Sequence, residues 1–322
     1  MTNKLYGKIT ASVGGLYTVY LDAPVPADIA ASLPDGRRVD CRARGAFRHN
    51  NEKPLVGDRC AVSFGEAANG TVIDSIEERK NSLIRPPVAN LDYIFVTAAS
   101  ASPEPDPEML DKLIAIAEFN GIIPVVVIGK SDLDPLRAEE LAGIYRLAGY
   151  DVFIVSCKEN EGILSDGGLR DFIKEIIPHH TVAFAGASGV GKSSLINILF
   201  PDLDLEVSDI SRKTERGRHT TRRVTLYPTD ISDDPGFIVD TPGFSFLDFE
   251  HFDFFSKEDL PETFREFREH LGTCKYTKCT HTKEDGCSIL AALRDGKIAP
   301  SRHQSYLNLY AILKEKHKWD KK

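Results

Sequence analysis

The segment that most constrains this chain runs from Thr181 to Leu199, TVAFAGASGVGKSSLINIL. Val182, Ala183, Phe184 and Ala185 read as the end of a buried strand, and Leu195, Ile196 and Leu199 then recur at helical spacing. Between them Gly186, Ala187, Ser188, Gly189, Val190, Gly191, Lys192 and Ser193, followed by Ser194, fit the pattern G-x-x-x-x-G-K-[ST]. Only glycines let a loop wrap closely enough for successive backbone N–H groups to face phosphate oxygens. A helix opening at Lys192 adds the positive end of its dipole. Lys192 would reach the β and γ phosphates, and the Ser193 hydroxyl would hold a magnesium ion bridging them. An ordinary glycine turn is the competing explanation, and the strand-turn-helix context argues against it.

The length of 322 residues suggests two or three domains, each able to bury a core. A formal charge of −8 excludes a protein that is basic throughout but leaves room for local basic faces. The N-terminus MTNKLYGKIT has no apolar core of signal-peptide length, and no run approaches the roughly 18 apolar residues of a membrane span. The expectation is a cytoplasmic protein without a membrane partner. Of six cysteines, Cys41, Cys60 and Cys157 are scattered, whereas Cys274, Cys279 and Cys287 cluster around His281. In a reducing compartment such a cluster points to a metal site rather than to disulfides.

Residues 1–78 carry short β-like runs, GKITASV, LYTVYLD, RRVDCRARGAF, RCAVSF and GTVIDSI, separated by turn signals such as Gly14-Gly15 and Asn69-Gly70. This spacing predicts an all-β barrel of the OB type. Arg37, Arg38, Arg42, Arg44, Arg48 and His49 crowd one part of it, which suits RNA and equally suits a solvated basic face. Residues 79–89 read as a linker. From residue 90 to 246, strands alternate with helices, the signature of a parallel α/β sheet.

After the second of these strands comes Gly129-Lys130-Ser131-Asp132. Guanine-nucleotide proteins carry N-K-x-D here: the Asp accepts from guanine N1–H and the exocyclic amino group, and the Lys stem lies along the base. Adenine lacks both donors in that place. Gly129 stands where Asn is usual and removes a side chain that normally ties loops together. Ser156-Cys157-Lys158 looks like the S-A-K element whose backbone amide meets guanine O6, although an ordinary strand exit explains the tripeptide equally well. Downstream, Thr220 and Thr221 offer switch I hydroxyls within a basic tract containing Arg212, Lys213, Arg216, Arg218, Arg222 and Arg223. FIVDTPGF then supplies D-x-x-G: Asp240 would hold magnesium through water and the Gly243 N–H would sense the γ-phosphate.

The base-reading segments precede the phosphate loop, the reverse of the ordinary GTPase order. The same sheet forms if the usual termini are joined and the chain is opened after switch II, a circular permutation. Residues 247–322 contain Cys274, Cys279, His281 and Cys287, a Cys3His set suited to one closed structural zinc site in an α-helical domain. Lys275, Lys278, Lys283, Arg294, Lys297, Arg302 and the terminal lysines surround it, and a final helix carries an apolar stripe of Tyr306, Leu309, Tyr310 and Leu313.

Barrel, permuted GTPase and zinc domain in this order, with GASGVGKSSL, GRHTTR, DTPGF and C-x4-C-x-H-x5-C, resemble the RsgA (YjeQ or YloQ) family over essentially the full length. The resemblance implies a monomeric GTPase, using GTP, magnesium and zinc, that binds the 30S subunit and its 16S rRNA late in maturation and is stimulated by it. Phe244 stands where many GTPases place a water-orienting Gln, so intrinsic turnover should be slow. His219 is then the candidate to orient the water when the ribosome repositions it, against the plainer explanation of a solvated loop histidine. A GTP-dependent RNA scaffold is the alternative to an enzyme, and an ATPase or kinase is disfavoured by Asp132.

Overall fold

Five strands form from the alternating segments at the start of the chain: β1 (Lys4–Val13), β2 (Leu16–Leu21), β3 (Arg38–Ala43), β4 (Arg59–Phe64) and β5 (Thr71–Ile76), with a one-turn helix α1 (Ala27–Ala30) after β2. Alternation is clearest in β2 and β3, and Ile9, Val19, Leu21, Cys41, Val62 and Ile73 make one buried core. β1 pairs antiparallel with both β2 and β4, β2 with β3, and β5 with β4, while β3 runs parallel to β5. The ring therefore closes with the strand order of an OB-like barrel, each of the five strands being paired on both sides among the described residues.

The computed structural model describes residues 4–22, 24–33, 36–45, 47, 53–64, 70–84, 86–201, 203, 224–229, 235–240 and 255–319. It divides into two units: Met1–Asp92 with Ile177–Ala183 and Leu205–Phe244, and Tyr93–Ile176 with Phe184–Asp204 and Ser245–Lys322.

In the first unit the segment read as a linker holds a short hairpin, β6 (Ser82–Leu83) against β7 (Val88–Ala89). Arg79 beside it is paired with the fully buried Asp58 at 2.7 Å. Strand β1 also meets a second set of strands through Ala11 and Thr225. These are β12 (Thr225–Thr229), antiparallel to β13 (Gly236–Asp240), which runs parallel to residues 181–183 of β11 (Thr181–Ala185). Lys8 is buried at this junction; its Nζ donates to Thr181 Oγ1 at 2.8 Å and lies 4.7 Å from the Phe237 ring. Burial pushes its ammonium down to about 8, with Asp92 opposing.

In the second unit β8 (Tyr93–Ala99), β9 (Ile123–Gly129) and β10 (Asp151–Ile154) form a parallel ladder in which Ala99 faces Gly129 and Ile128 faces Ile154. These strands are near-continuous apolar runs because helices cover the sheet. Helices α2 (Pro107–Phe119) and α3 (Pro135–Leu147) both begin at an Asp-Pro pair. Asp106 accepts from Met109 N at 3.1 Å and Asp134 from Arg137 N at 2.9 Å, while each proline occupies a first-turn place where no N–H is needed. Helix α4 (Leu169–Ile176) precedes β11, and α5 (Lys192–Leu199) follows it.

The C-terminal segment packs two short 3-10 turns (Leu260–Thr263 and Arg265–His270), α6 (Ser288–Arg294) and α7 (Pro300–Trp319). Tyr306, Leu309 and Leu313 of the expected stripe are buried, with Tyr306 against Phe264 and Phe267. Arg302, counted with the basic surround in the sequence, is instead fully buried. Its guanidinium reaches Asp111 of α2 at 2.6 Å and Glu266 at 2.7 Å, and it stacks 4.6 Å from Phe264. Three further ties join the same elements: Arg265 and Arg268 to Glu118, and Asn308 to Glu108.

Candidate nucleotide cleft and metal centre

The parallel register of β8, β9 and β10 brings the loops after each strand to one edge, where ligands of open α/β sheets sit. A cleft of about 580 Å3 opens there, within the size range of ligand pockets. Gly129, Lys130, Asp132 and Leu133 line it from the loop after β9, Cys157 and Lys158 from the loop after β10, and Val190, Gly191 and Ser194 from the phosphate loop and α5. Three segments far apart in the chain thus form one wall set. Ser131 is buried beneath the loop, its N–H donating to Val155 O at 3.2 Å.

The phosphate loop owes its path to glycine at two points. Gly186 has φ +140°, and a Cβ there would fall 2.1 Å from the carbonyl oxygen of Thr97, so no other residue fits. Gly191, at φ +104°, caps α5, so the chain turns sharply into Lys192. Lys192 Nζ donates to the carbonyls of Gly186 at 2.8 Å and Ala187 at 2.7 Å, and burial lowers its ammonium to about 8. Ser188, Gly189, Ser193 and Ser194 are exposed along the loop and the first turn of α5, with hydroxyls and N–H groups open to an anion.

On the base side, Ser156 Oγ–H donates to Asp132 Oδ1 at 2.7 Å and in turn accepts from Glu159 N at 3.2 Å. This bond ties the loops after β9 and β10 together and fixes the direction of the carboxylate. Cys157 is half-buried; burial, with Asp132 nearby, raises its thiol pKa and keeps it protonated at neutral pH. Sequence patterns did not single out Thr97, Leu133, Asn197 and Ile198, which also line the cleft, or Ser100, which braces the β9 loop. Their one signal is position, at strand ends or on the helix after the phosphate loop. His219, Thr220, Thr221 and Gly243 lie outside the described residues. Asp240 ends β13, as D-x-x-G following a strand requires.

Cys274, Cys279, His281 and Cys287 come together with their ligand atoms all within 4.8 Å of one another. Cys274 Sγ lies 3.6 Å from His281 Nδ1 and 3.9 Å from Cys287 Sγ, and Cys287 Sγ lies 3.5 Å from the same nitrogen. A tetrahedron with zinc–sulfur bonds of 2.3 Å has edges of about 3.8 Å, so the set fits zinc. Burial disfavours a charged His281, leaving it the neutral ligand a metal needs. At Cys274 burial raises the thiol, but donors from Ser288 N and Oγ, together with Cys279 and Cys287, outweigh it and the thiol ends below its ordinary value. Cys279 is pushed up to about 12 by burial, so a metal must displace its proton. The lobe is braced by His303 against His281 O at 2.9 Å and by Tyr306 OH donating to Thr280 O at 2.8 Å.

Among the described residues no helix is long and apolar enough to cross a membrane. Residues 76–250 match the family model of the RsgA GTPase, and residues 6–72 that of the RsgA N-terminal domain. A protein of Agathobacter rectalis named small ribosomal subunit biogenesis GTPase RsgA is 39% identical over 97% of this chain and 99% of its own. The structure of YjeQ from Thermotoga maritima superposes with a TM-score of 0.76 at 31% identity, covering 96% of this chain and 98% of that one. The structure of YloQ, described as a circularly permuted GTPase, gives 0.74 at 32% identity over 98% and 96%.

Proposed function

The chain belongs to the RsgA family of circularly permuted GTPases, and we propose that it hydrolyses GTP to GDP and phosphate in the service of small-subunit maturation. What carries this reading is the single cleft lined at once by the phosphate loop and by Lys130 and Asp132. In it Asp132, aimed by Ser156, accepts from guanine N1–H and the exocyclic amino group, and the Cys157 amide meets O6. Lys192 exchanges its two carbonyl partners for β and γ phosphate oxygens. Ser193 would hold magnesium, and Asp240 would do so through water; the ion, when bound, would offset the charge that develops on the phosphates. Thr220, Thr221, Gly243 and His219 close on the γ-phosphate, with His219 orienting water.

The same proposal assigns residues 1–78 to an RNA-binding barrel, 79–89 to a linker, 90–246 to the permuted GTPase and 247–322 to the zinc domain. The protein acts as a cytoplasmic monomer on the 30S subunit and its 16S rRNA. Arg42, Arg44 and Lys53 line a cleft of about 680 Å3 on the barrel together with Tyr17 and Phe47, a pairing of cations with aromatic rings that suits nucleotides. The test is GTP hydrolysis with and without purified 30S subunits. Subunits should raise the rate many-fold, Lys192→Ala should abolish hydrolysis, and His219→Ala should bind GTP yet lose the stimulated part. An unchanged rate with 30S would leave a GTP-dependent RNA scaffold as the function.

A further inference from the structure

The loop that reads the base is bent into an unfavourable shape, and the side chain usual for tethering it is missing. Lys130 sits at φ +57°, the left-handed region that residues with a Cβ avoid, so surrounding bonds must hold it there. Gly129 offers no side chain for this. The surroundings are close: a Cβ at 129 would lie 3.3 Å from the carbonyl oxygen of Val190 in the phosphate loop, a tight approach, and 3.5 Å, ordinary contact, from that of Ala98.

The holding bonds come from the end of β8. Ser100, only 2% exposed, donates its N–H to Gly129 O at 2.8 Å and its Oγ–H to Lys130 O at 2.7 Å. The Lys130 carbonyl takes a second bond from Leu133 N at 2.9 Å, which closes the turn carrying Asp132. Lys130 Nζ reaches back to the Ser102 carbonyl, two residues beyond Ser100. Both sides of the strained peptide are therefore fixed by residues 100–102.

We propose that Ser100 is the positioning residue of the base-reading loop, doing from β8 what a side chain at 129 does in other guanine-nucleotide proteins. This rests on reading the cleft as a guanine site. Loss of the hydroxyl frees the Lys130 carbonyl on one side and lets Asp132 drift from the guanine amino group while the phosphate loop stays as it is. The role is specific to the base, so it appears in discrimination between bases.

The test compares GDP with IDP, whose base lacks the exocyclic amino group, by calorimetric titration of the full chain. The parent should prefer GDP. Ser100→Ala should narrow the GDP-to-IDP affinity ratio by about threefold to tenfold, the worth of one buried hydrogen bond. Ser100→Cys, the same shape with a weaker donor, should fall between them and carries the same test if the alanine chain does not fold. A uniform loss for both nucleotides with the ratio unchanged would mark Ser100 as merely structural and overturn the proposal. A parent that does not distinguish GDP from IDP would overturn the guanine reading itself, and this proposal with it.

Discussion

At the scale of single residues, Lys192 shows how burial and function pull against each other. Desolvation holds its ammonium at about 8, so the free protein begins to lose this charge just above neutrality. Bound phosphates favour the charged form, so the lysine takes up a proton on binding once the pH passes that value. Nucleotide affinity should therefore fall by about tenfold between pH 7 and pH 9. Titration of GDP across that range checks it, and the step should vanish in Lys192→Arg, whose guanidinium keeps its charge. Gly186 and Gly191 were legible in the sequence because a rigid spacing pattern demands them. Ser100 was not, since a serine at a strand end carries no pattern and its partner lies 30 residues on.

At the scale of elements, α2 and α7 are joined through a fully buried guanidinium between two carboxylates. Removing one member of such a group leaves uncompensated charge in a medium that solvates it poorly. Arg302→Met should thus cost about 3–5 kcal/mol, whereas an apolar replacement of all three partners, Arg302→Met with Asp111→Leu and Glu266→Met, should recover most of it. Thermal unfolding midpoints of the two variants decide the matter; a tolerated single substitution would show that the triad contributes little. The Asp-Pro starts of α2 and α3 and the stripe on α7 could be read from the sequence, because caps and periodicity are local. Arg302 read as one more surface cation, because nothing within its own helix signals a partner 191 residues away.

At the scale of the whole molecule, the segment from Cys274 to Cys287 buries only His281 and Cys287, themselves two of the four candidate ligands, so zinc should supply much of the stability of this part of the C-terminal lobe. The isolated protein should carry one zinc per chain by elemental analysis, and Cys279→Ser should lose it. Chelation should raise amide exchange in α6 and α7, where His303 and Tyr306 brace the ligand loop, and leave the closed barrel of β1 to β5 protected. Equal exchange in α6 and α7 with and without chelator would mean the lobe stands on packing alone.

The chain alone carried the candidate chemistry: the phosphate-loop pattern, K-x-D and S-C-K, D-x-x-G and the Cys3His set are short motifs whose spacing matches the size of the groups they would hold. Their order along the chain also determined the permutation. Tertiary structure decided what depends on distant neighbours. It brought Gly129, Lys130 and Asp132, Cys157 and Lys158, and Val190, Gly191 and Ser194 around one cleft, set Val190 against Gly129, placed Ser100 under Lys130 and buried Arg302. These contacts arise from strand register and helix packing, long-range quantities that no local window of sequence contains.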